Sequence, residues 1–451
     1  MRNITIGDIL KMTGAEASFE IDENARVCNI SNDSRDIKED TIYAAIVGER
    51  LDGHDFARAA LENGAIAAIV EKRVTEKDIL VKDTRRALKD IAMGYRSRFD
   101  IPFLAVTGSS GKTTTKDMLY FAVSESRKTL RNLGNLNSEI GLPMTVFNLD
   151  ESHECAVLEM GMYVQGEIDY LAEIVKPHFA IITNVGVAHI QSAGSRENIL
   201  KAKMEIANYM TQSDVLLING DNDMLQTVDT GAIKPSVYKY GLEEHNDIRL
   251  ISYETTESGM KIRADILGKI TEYEIPTLGI HNIYNSLSVM GLCSLMGLDM
   301  KKSAEGIRKY QPSKYRMEIK SVSGKTLIED FYNANPDSLR ASIETFRQMQ
   351  GERKVAVLAD MLELGAISEK EHMNAGIQAS EIFDVIICIG SDAKYIGKGA
   401  IENGFDKGRV YYFANNEEAV SEINSILRPG DAVLMKGSRG MKLEEVAESI
   451  C

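Results

Sequence analysis

Residues 103–119, FLAVTGSSGKTTTKDML, constrain the fold more than any other stretch of this chain. An apolar run closing at Val106 meets a turn bracketed by Gly108 and Gly111, and a lysine then opens a helical pattern. A strand that is apolar throughout is buried on both faces, which implies a parallel sheet covered by helices. The turn Gly108-Ser109-Ser110-Gly111 frees backbone N–H groups to face phosphate oxygens, and the helix that follows adds its partial positive charge. Lys112 then serves to neutralise β/γ-phosphates and the Thr113 hydroxyl to ligate magnesium, with Thr114 beside it. One position departs from the general pattern G-x-x-x-x-G-K-[ST]: glycine is replaced by Val106. The plain alternative is a strand, a turn and a helix with lysine at its start.

The same alternation extends in both directions. Residues 1–98 hold short apolar runs (TIYAAIVG, AIAAIV) between helical stretches, closed by the helical DTRRALKDIAMGYRSRF, and read as a small N-terminal α/β domain. Residues 99–313 continue with FLAVTG, ECAVLEMG, FAIITNVG and DVLLING as strands of a parallel sheet. Between about 236 and 278 the pattern turns period-two, predicting an antiparallel appendage. Residues 314–451 repeat the α/β alternation with KVAVLAD, DVIICIG, RVYYFA and DAVLMKG, predicting a Rossmann-like domain. The fold class expected is therefore three-domain α/β, with a P-loop mononucleotide-binding domain in the centre. Ligands should sit at the carboxyl ends of the doubly wound strands.

Charge and cysteine content narrow the function classes. A formal net charge of -15 argues against coating nucleic acid, whose binding surfaces are basic. The five cysteines are dispersed without a CxxC pair, as expected of reduced thiols in a cytoplasmic protein without a zinc site. The N-terminus lacks the apolar core of a signal peptide, and no run reaches a membrane span, so no membrane insertion is expected.

Several strand ends carry candidate ligands, each with a bland alternative. Glu159 follows an apolar run in VLEMGM, and Asn184 and His189 follow another in ITNVGVAHI. Beside a phosphate loop, a carboxylate and a neutral imidazole suit magnesium, directly or through water. Alone, they read as a solvated charge and a loop histidine. Lys201 and Lys203 lie on one helical pattern, where lysines are ordinarily solvated; cations nearby would instead leave one neutral and reactive. His281, Asn282 and Asn285 open another helix, and an asparagine amide matches an adenine edge or simply caps. Asn335 before Pro336 reads as a helix cap. Lys436 and Arg439 are cations for a carboxylate or phosphate, or ordinary exposed charges.

Taken together, TGSSGKTTTKDML, GNLNSEIGLP, LEMGM, ITNVGVAHI, KAKMEI, GIHNIYN, YRMEI and DFYNANPDSL make the chain resemble the Mur ligase family along essentially its whole length. That family uses a shorter GxxGK[ST] loop, which accounts for Val106. YNANPDS, ADMLELG and MKGSRGM look like the member that adds the last unit, a dipeptide; the DNPR-type motif of the preceding member is absent. Ala359 stands where that member has glycine, and GMYVQGEI replaces a commoner small-polar run.

The resemblance implies an ATP-dependent amide ligase, acting as a monomer, that joins D-alanyl-D-alanine to a UDP-N-acetylmuramoyl-tripeptide through an acyl phosphate. ATP, two magnesium ions and carbon dioxide, for carbamylation of Lys203, are the cofactors it implies. Thr113, Glu159, His189 and carbamylated Lys203 would hold the metals, with Lys112 among the catalytic groups. Asn282, Arg316 and Asp330 would join the loop in binding ATP. Ser31, Asp33, Ser34 and Arg35 would bind the uridine nucleotide. Asn135, Asn137, Asn333, Asn335, Asp360 and Lys436 would complete the substrate site. The rival readings are the preceding family member, a folylpolyglutamate-type ligase and, from another class, a P-loop NTPase switch.

Overall fold

Three sheets, each in its own region of the chain, organise the computed structural model, which describes residues 1–451 except Glu49, Glu257, Gln348 and Gln350. Glu49, within the GERLDGH segment, thus lies outside the described residues. The first sheet has five strands in the order Glu16–Ala17, Asp78–Leu80, Ala67–Val70, Thr41–Ala44, Asn29–Ser31, parallel except for its first pair. Helix Thr84–Arg96 closes this domain. Asp83 caps it, accepting from Arg86 N, and Ala87, Leu88, Ile91, Ala92 and Tyr95 form its buried stripe. The stripe packs into one apolar core with helices Gly141–Val146 and Glu167–Val175 of the next domain, and the Tyr95 hydroxyl donates to Leu149 O at 2.7 Å.

Nine strands make the central sheet. Phe103–Thr107 is flanked by Cys155–Glu159 on one side and Phe179–Ile182 on the other, so the winding reverses at this strand. A reversal opens a crevice beyond the carboxyl ends. The loop after Thr107, Glu159 and the segment after Ile182 all emerge there. Strands Ile248–Thr256, Gly259–Ile266 and Lys269–Ile275 form the antiparallel appendage. The period-two reading overreached at its start, because Ser236–Gly241 pairs in parallel with Val215–Asn219 as an ordinary member of the wound sheet. Its exposure falls from Ser236 to the buried Tyr240 and Gly241 rather than alternating, and it is paired on both sides.

The last sheet runs Glu318–Val322, Lys325–Glu329, Asp431–Lys436, Arg353–Ala359, Val385–Ile389, Val410–Phe413, parallel except for the first pair. Apolar clusters on its two faces are separate from those of the other domains. None of the described helices is long and apolar enough to cross a membrane.

Candidate active site

Gly108 and Gly111 turn the chain with φ of +150° and +78°, in space that admits no side chain. A Cβ on Gly108 would lie 1.8 Å from Thr183 Oγ1. Asn184 Oδ1 accepts from the N–H groups of Ser109 and Ser110 at 3.1 and 3.0 Å, and Thr183 Oγ1 donates to Ser110 O at 2.6 Å. The two serine N–H groups are therefore engaged by the neighbouring strand end. Gly111, Lys112, Thr113 and Thr114, at the start of helix Lys112–Ser124, retain amides without a backbone acceptor among the described residues. Such N-terminal donors favour an anion. Lys112 Nζ folds back to donate to Gly108 O at 2.8 Å, and burial lowers its pKa, with Glu159 opposing and Arg316 adding to the shift.

This loop lines a cavity of about 710 Å³ to which all three domains contribute. Of the residues expected from sequence, Ser109, Ser110, Gly111, Lys112, Thr113, Thr114, Asn137, Glu159, His189, Asn282, Arg316, Asp330, Asn333, Asn335 and Lys436 line it. Gly108 lies in the backbone beneath. Lys203 is buried close behind, near enough for the charge of Lys112, after burial itself, to hold its pKa well below the ordinary lysine value. Its helix neighbour Lys201 is exposed. Glu159, 2 % exposed, accepts from Asn137 Nδ2 through Oε1 at 2.7 Å, while its Oε2 has no partner. His189 meets Glu363 across the domain boundary, Nδ1 to Oε2 at 2.7 Å. Burial and the charges of Lys112 and Lys203 lower its pKa, against Glu363.

Among the described residues, no group of three or more His, Cys, Asp or Glu side chains is arranged to hold a metal. Magnesium keeps water and is bound by one or two carboxylates together with substrate phosphates rather than by a protein cage. The orphaned Glu159 oxygen and the Thr113 hydroxyl beside an anion seat are oxygen donors of that kind, with the His189 imidazole in the same cavity and the low-pKa Lys203 amine behind it.

Opposite the loop, Arg316 donates to Thr113 Oγ1 at 3.0 Å and stacks over Tyr332, while its Nε is buried without a partner. Lys436 Nζ donates to Asp330 Oδ2 at 2.7 Å and to the carbonyls of Asp330 and Asn333, so its charge is already matched within the last domain. Asn335 caps helix Pro336–Arg347, as its sequence context suggests, with Oδ1 accepting from Ser338 N at 2.8 Å. Asn282 is the third residue of helix Ile280–Leu295 and not its cap. Its Nδ2 donates to Thr277 Oγ1 and Leu278 O and its Oδ1 accepts from Asn285, so the amide edge is engaged within the protein.

Several expected residues lie elsewhere. Asp360 is outside the cavity: its carboxylate accepts from the N–H groups of Ser391, Asp392 and Ala393, pinning the turn before helix Lys394–Glu402. Asn135 is exposed and outside it as well. Ser31 ends the edge strand of the first sheet, and Asp33, Ser34 and Arg35 follow it. There Asp33 pairs with Arg35 at 2.7 Å, and the hydrogen bonds from Arg35 lower its pKa to about 2. Sequence reasoning passed over Arg85, Asp337 and Glu363. Asp337 Oδ2 accepts from Val187 N at 3.3 Å, and a Cβ on Gly186 would collide with it at 1.8 Å. Glycine in VGVAH was the one sign of such a close approach.

Comparison with known proteins gives matches along the whole chain. The Mur ligase middle domain matches residues 106–293, the Mur ligase glutamate ligase domain 315–439, and the Mur ligase family catalytic domain 26–96. The UDP-N-acetylmuramoyl-tripeptide–D-alanyl-D-alanine ligase of Bacillus subtilis (strain 168) is 35% identical over 99% of this chain and 97% of its own. Among solved structures, MurF from Acinetobacter baumannii is similar with a TM-score of 0.92 at 30% identity, covering 99% of this chain and 98% of that one. MurF ligase from Thermotoga maritima, in complex with ADP, is similar with a TM-score of 0.83 at 27% identity, covering 93% and 96%.

Proposed function

The chain belongs to the Mur ligase family, and from that premise we infer that it is an ATP-dependent ligase adding D-alanyl-D-alanine to UDP-N-acetylmuramoyl-tripeptide. One observation carries the inference: a single cavity joins the phosphate loop to Arg85 of the first domain and to a wall of the last. A hydrolase acting on nucleotide alone has no need of such a junction. A ligase of three substrates does. We divide the chain accordingly into a muramoyl-peptide domain (1–98), an ATP domain (99–313) and a dipeptide domain (314–451).

A carboxylate is a poor acylating agent, so ATP supplies a leaving group. The terminal carboxylate of the tripeptide attacks the γ-phosphorus, forming an acyl phosphate and releasing ADP. The amine of D-alanyl-D-alanine then attacks the activated carbonyl, and inorganic phosphate departs as the amide forms. The protein positions and neutralises more than it bonds. The free amides at 111–114 would seat the phosphates, with Lys112, now turned back onto Gly108 O, and Arg316 of the last domain as the cations beside them. Thr113, Glu159, His189 and Lys203 are the residues to hold magnesium, which when bound draws charge from the transferring phosphoryl group. Lys203 is suited to carbamylation because only a neutral amine bonds carbon dioxide; the product is an anionic carbamate and a released proton. Ser31, Asp33, Ser34 and Arg35 are assigned to the uridine nucleotide. Buried free thiols fit a cytoplasmic enzyme, which we take to act as a monomer.

The test is phosphate release from ATP in the presence of UDP-N-acetylmuramoyl-tripeptide, with either lysine or diaminopimelate as third residue, and an amine acceptor. Release and amide formation should both require D-alanyl-D-alanine. Turnover driven equally by glutamate, or without any amine, refutes the assignment.

A further inference from the structure

His189 and Glu363 stand 174 positions apart, on different domains, and both are held in left-handed backbone conformations, with φ of +61° and +64°. A residue with a Cβ is rarely found there, and such geometry persists only where the surroundings over-determine it. What the two share is one side-chain bond of 2.7 Å. The segment bearing Glu363 also rests on the segment bearing His189 at a second point, since a Cβ on Gly365, itself at φ +54°, would touch the Gln191 side chain at 3.3 Å. Tyr163 packs edge-on against the imidazole at 5.7 Å and limits its rotation.

An ionised carboxylate only accepts hydrogen bonds. The bond to Glu363 Oε2 therefore fixes the proton on Nδ1 and leaves Nε2 as the one lone pair the ring can offer to a cation. Histidines that bind metals are commonly fixed in this way by a carboxylate behind them. We infer that Glu363, presented by the last domain, is a positioning residue that orients His189 for magnesium, so that the metal site is complete only when the last domain is docked. The inference rests on the assignment of His189 as a magnesium ligand made above. No other carboxylate is bonded to this imidazole among the described residues.

The assay follows free Mn2+ by its paramagnetic resonance signal as it is titrated into full-length protein holding a non-hydrolysable ATP analogue. Wild type is compared with Glu363→Ala, Glu363→Gln, His189→Ala and the double alanine variant. Glu363 is a loop residue with a side chain 44% exposed, so its variants should fold. Glu363→Ala should weaken Mn2+ binding by about tenfold or more, as loss of such a partner commonly does. Glu363→Gln, whose amide oxygen still accepts from Nδ1, should stay within about threefold, and the double variant should be no weaker than His189→Ala, because the two act as one unit. Unchanged Mn2+ binding in Glu363→Ala alongside weakened binding in His189→Ala overturns the positioning role alone. So does a rise confined to the KM for D-alanyl-D-alanine. Unchanged binding in His189→Ala overturns the metal assignment and the inference with it.

Discussion

Burial lowers the pKa of Lys112, His189 and Lys203, and burial is what single residues in a sequence conceal. Lys201 and Lys203 are the same residue two positions apart on one helix, yet one is exposed and the other 2 % exposed beside Lys112. Spacing alone could not separate them; the resemblance to a family did. His281 is a second such case. Its Nδ1 is buried without a partner, and burial lowers its pKa to about 4, with the charge of Asp330 opposing and that of Lys436 assisting. An unfolded histidine titrates near 6.5. Between those values the unfolded chain takes up a proton that the folded chain refuses, so the stability is fully present above about pH 6.5 and falls as pH drops toward 4. The slope from this one group is at most about 1.4 kcal/mol per pH unit. The gap in melting temperature between wild type and His281→Gln should therefore narrow from pH 7.5 to pH 5. A gap of constant size across that range would show that His281 does not titrate in this way.

At the scale of the element, the strand, loop and helix around Lys112 were legible because their determinants are local. An apolar run, two glycines and a helix start occupy adjacent positions, and each has one conformation that suits it. Even the departure at Val106 has a local cause. That residue is fully buried and pairs with Glu159 on one side and Ile181 on the other, so it belongs to the strand interior and the turn begins only at Gly108. The use of the loop amides was not legible, since Asn184, which takes two of them, lies 75 positions away from Ser109. The parallel direction of Ser236–Gly241 was likewise hidden, because direction depends on a partner strand and not on alternation. The loop itself gives a sharp test. Gly108→Ala would drive a methyl group into the Thr183 hydroxyl that holds Ser110 O, at a φ of +150° that alanine resists. ADP binding measured by calorimetry should weaken about tenfold or more, equivalent to at least about 1.4 kcal/mol. Far-UV circular dichroism should not change, because the strand and helix are secured by their own cores. Wild-type affinity in this variant would mean that the turn relaxes freely.

Across the whole molecule, the two interdomain contacts differ in kind. The first and central domains share one apolar core through helix Thr84–Arg96, where Leu88 and Ile91 are fully buried. The last domain meets the central one through polar contacts instead: Arg316 to Thr113, Val187 to Asp337, and His189 to Glu363. Apolar burial resists separation along its whole area, whereas hydrogen bonds exchange readily with water. Polar interfaces within a chain accordingly permit relative motion. The connection is built for it: Tyr315 and Met317, on either side of Arg316, have φ of +64° and +55° and are positioned to absorb a change of backbone angle. Motion should therefore belong to the last domain, with the other two moving as one. Spin labels at exposed Glu76, Lys234 and Lys407, with exposed Cys28 and Cys451 changed to serine, report on the three domains in turn. On saturation with a non-hydrolysable ATP analogue and UDP-N-acetylmuramoyl-tripeptide, the distance distribution between positions 234 and 407 should shift and sharpen, while that between 76 and 234 stays fixed. Equal shifts in both pairs would place the hinge elsewhere and remove the shared core as the reason for rigidity.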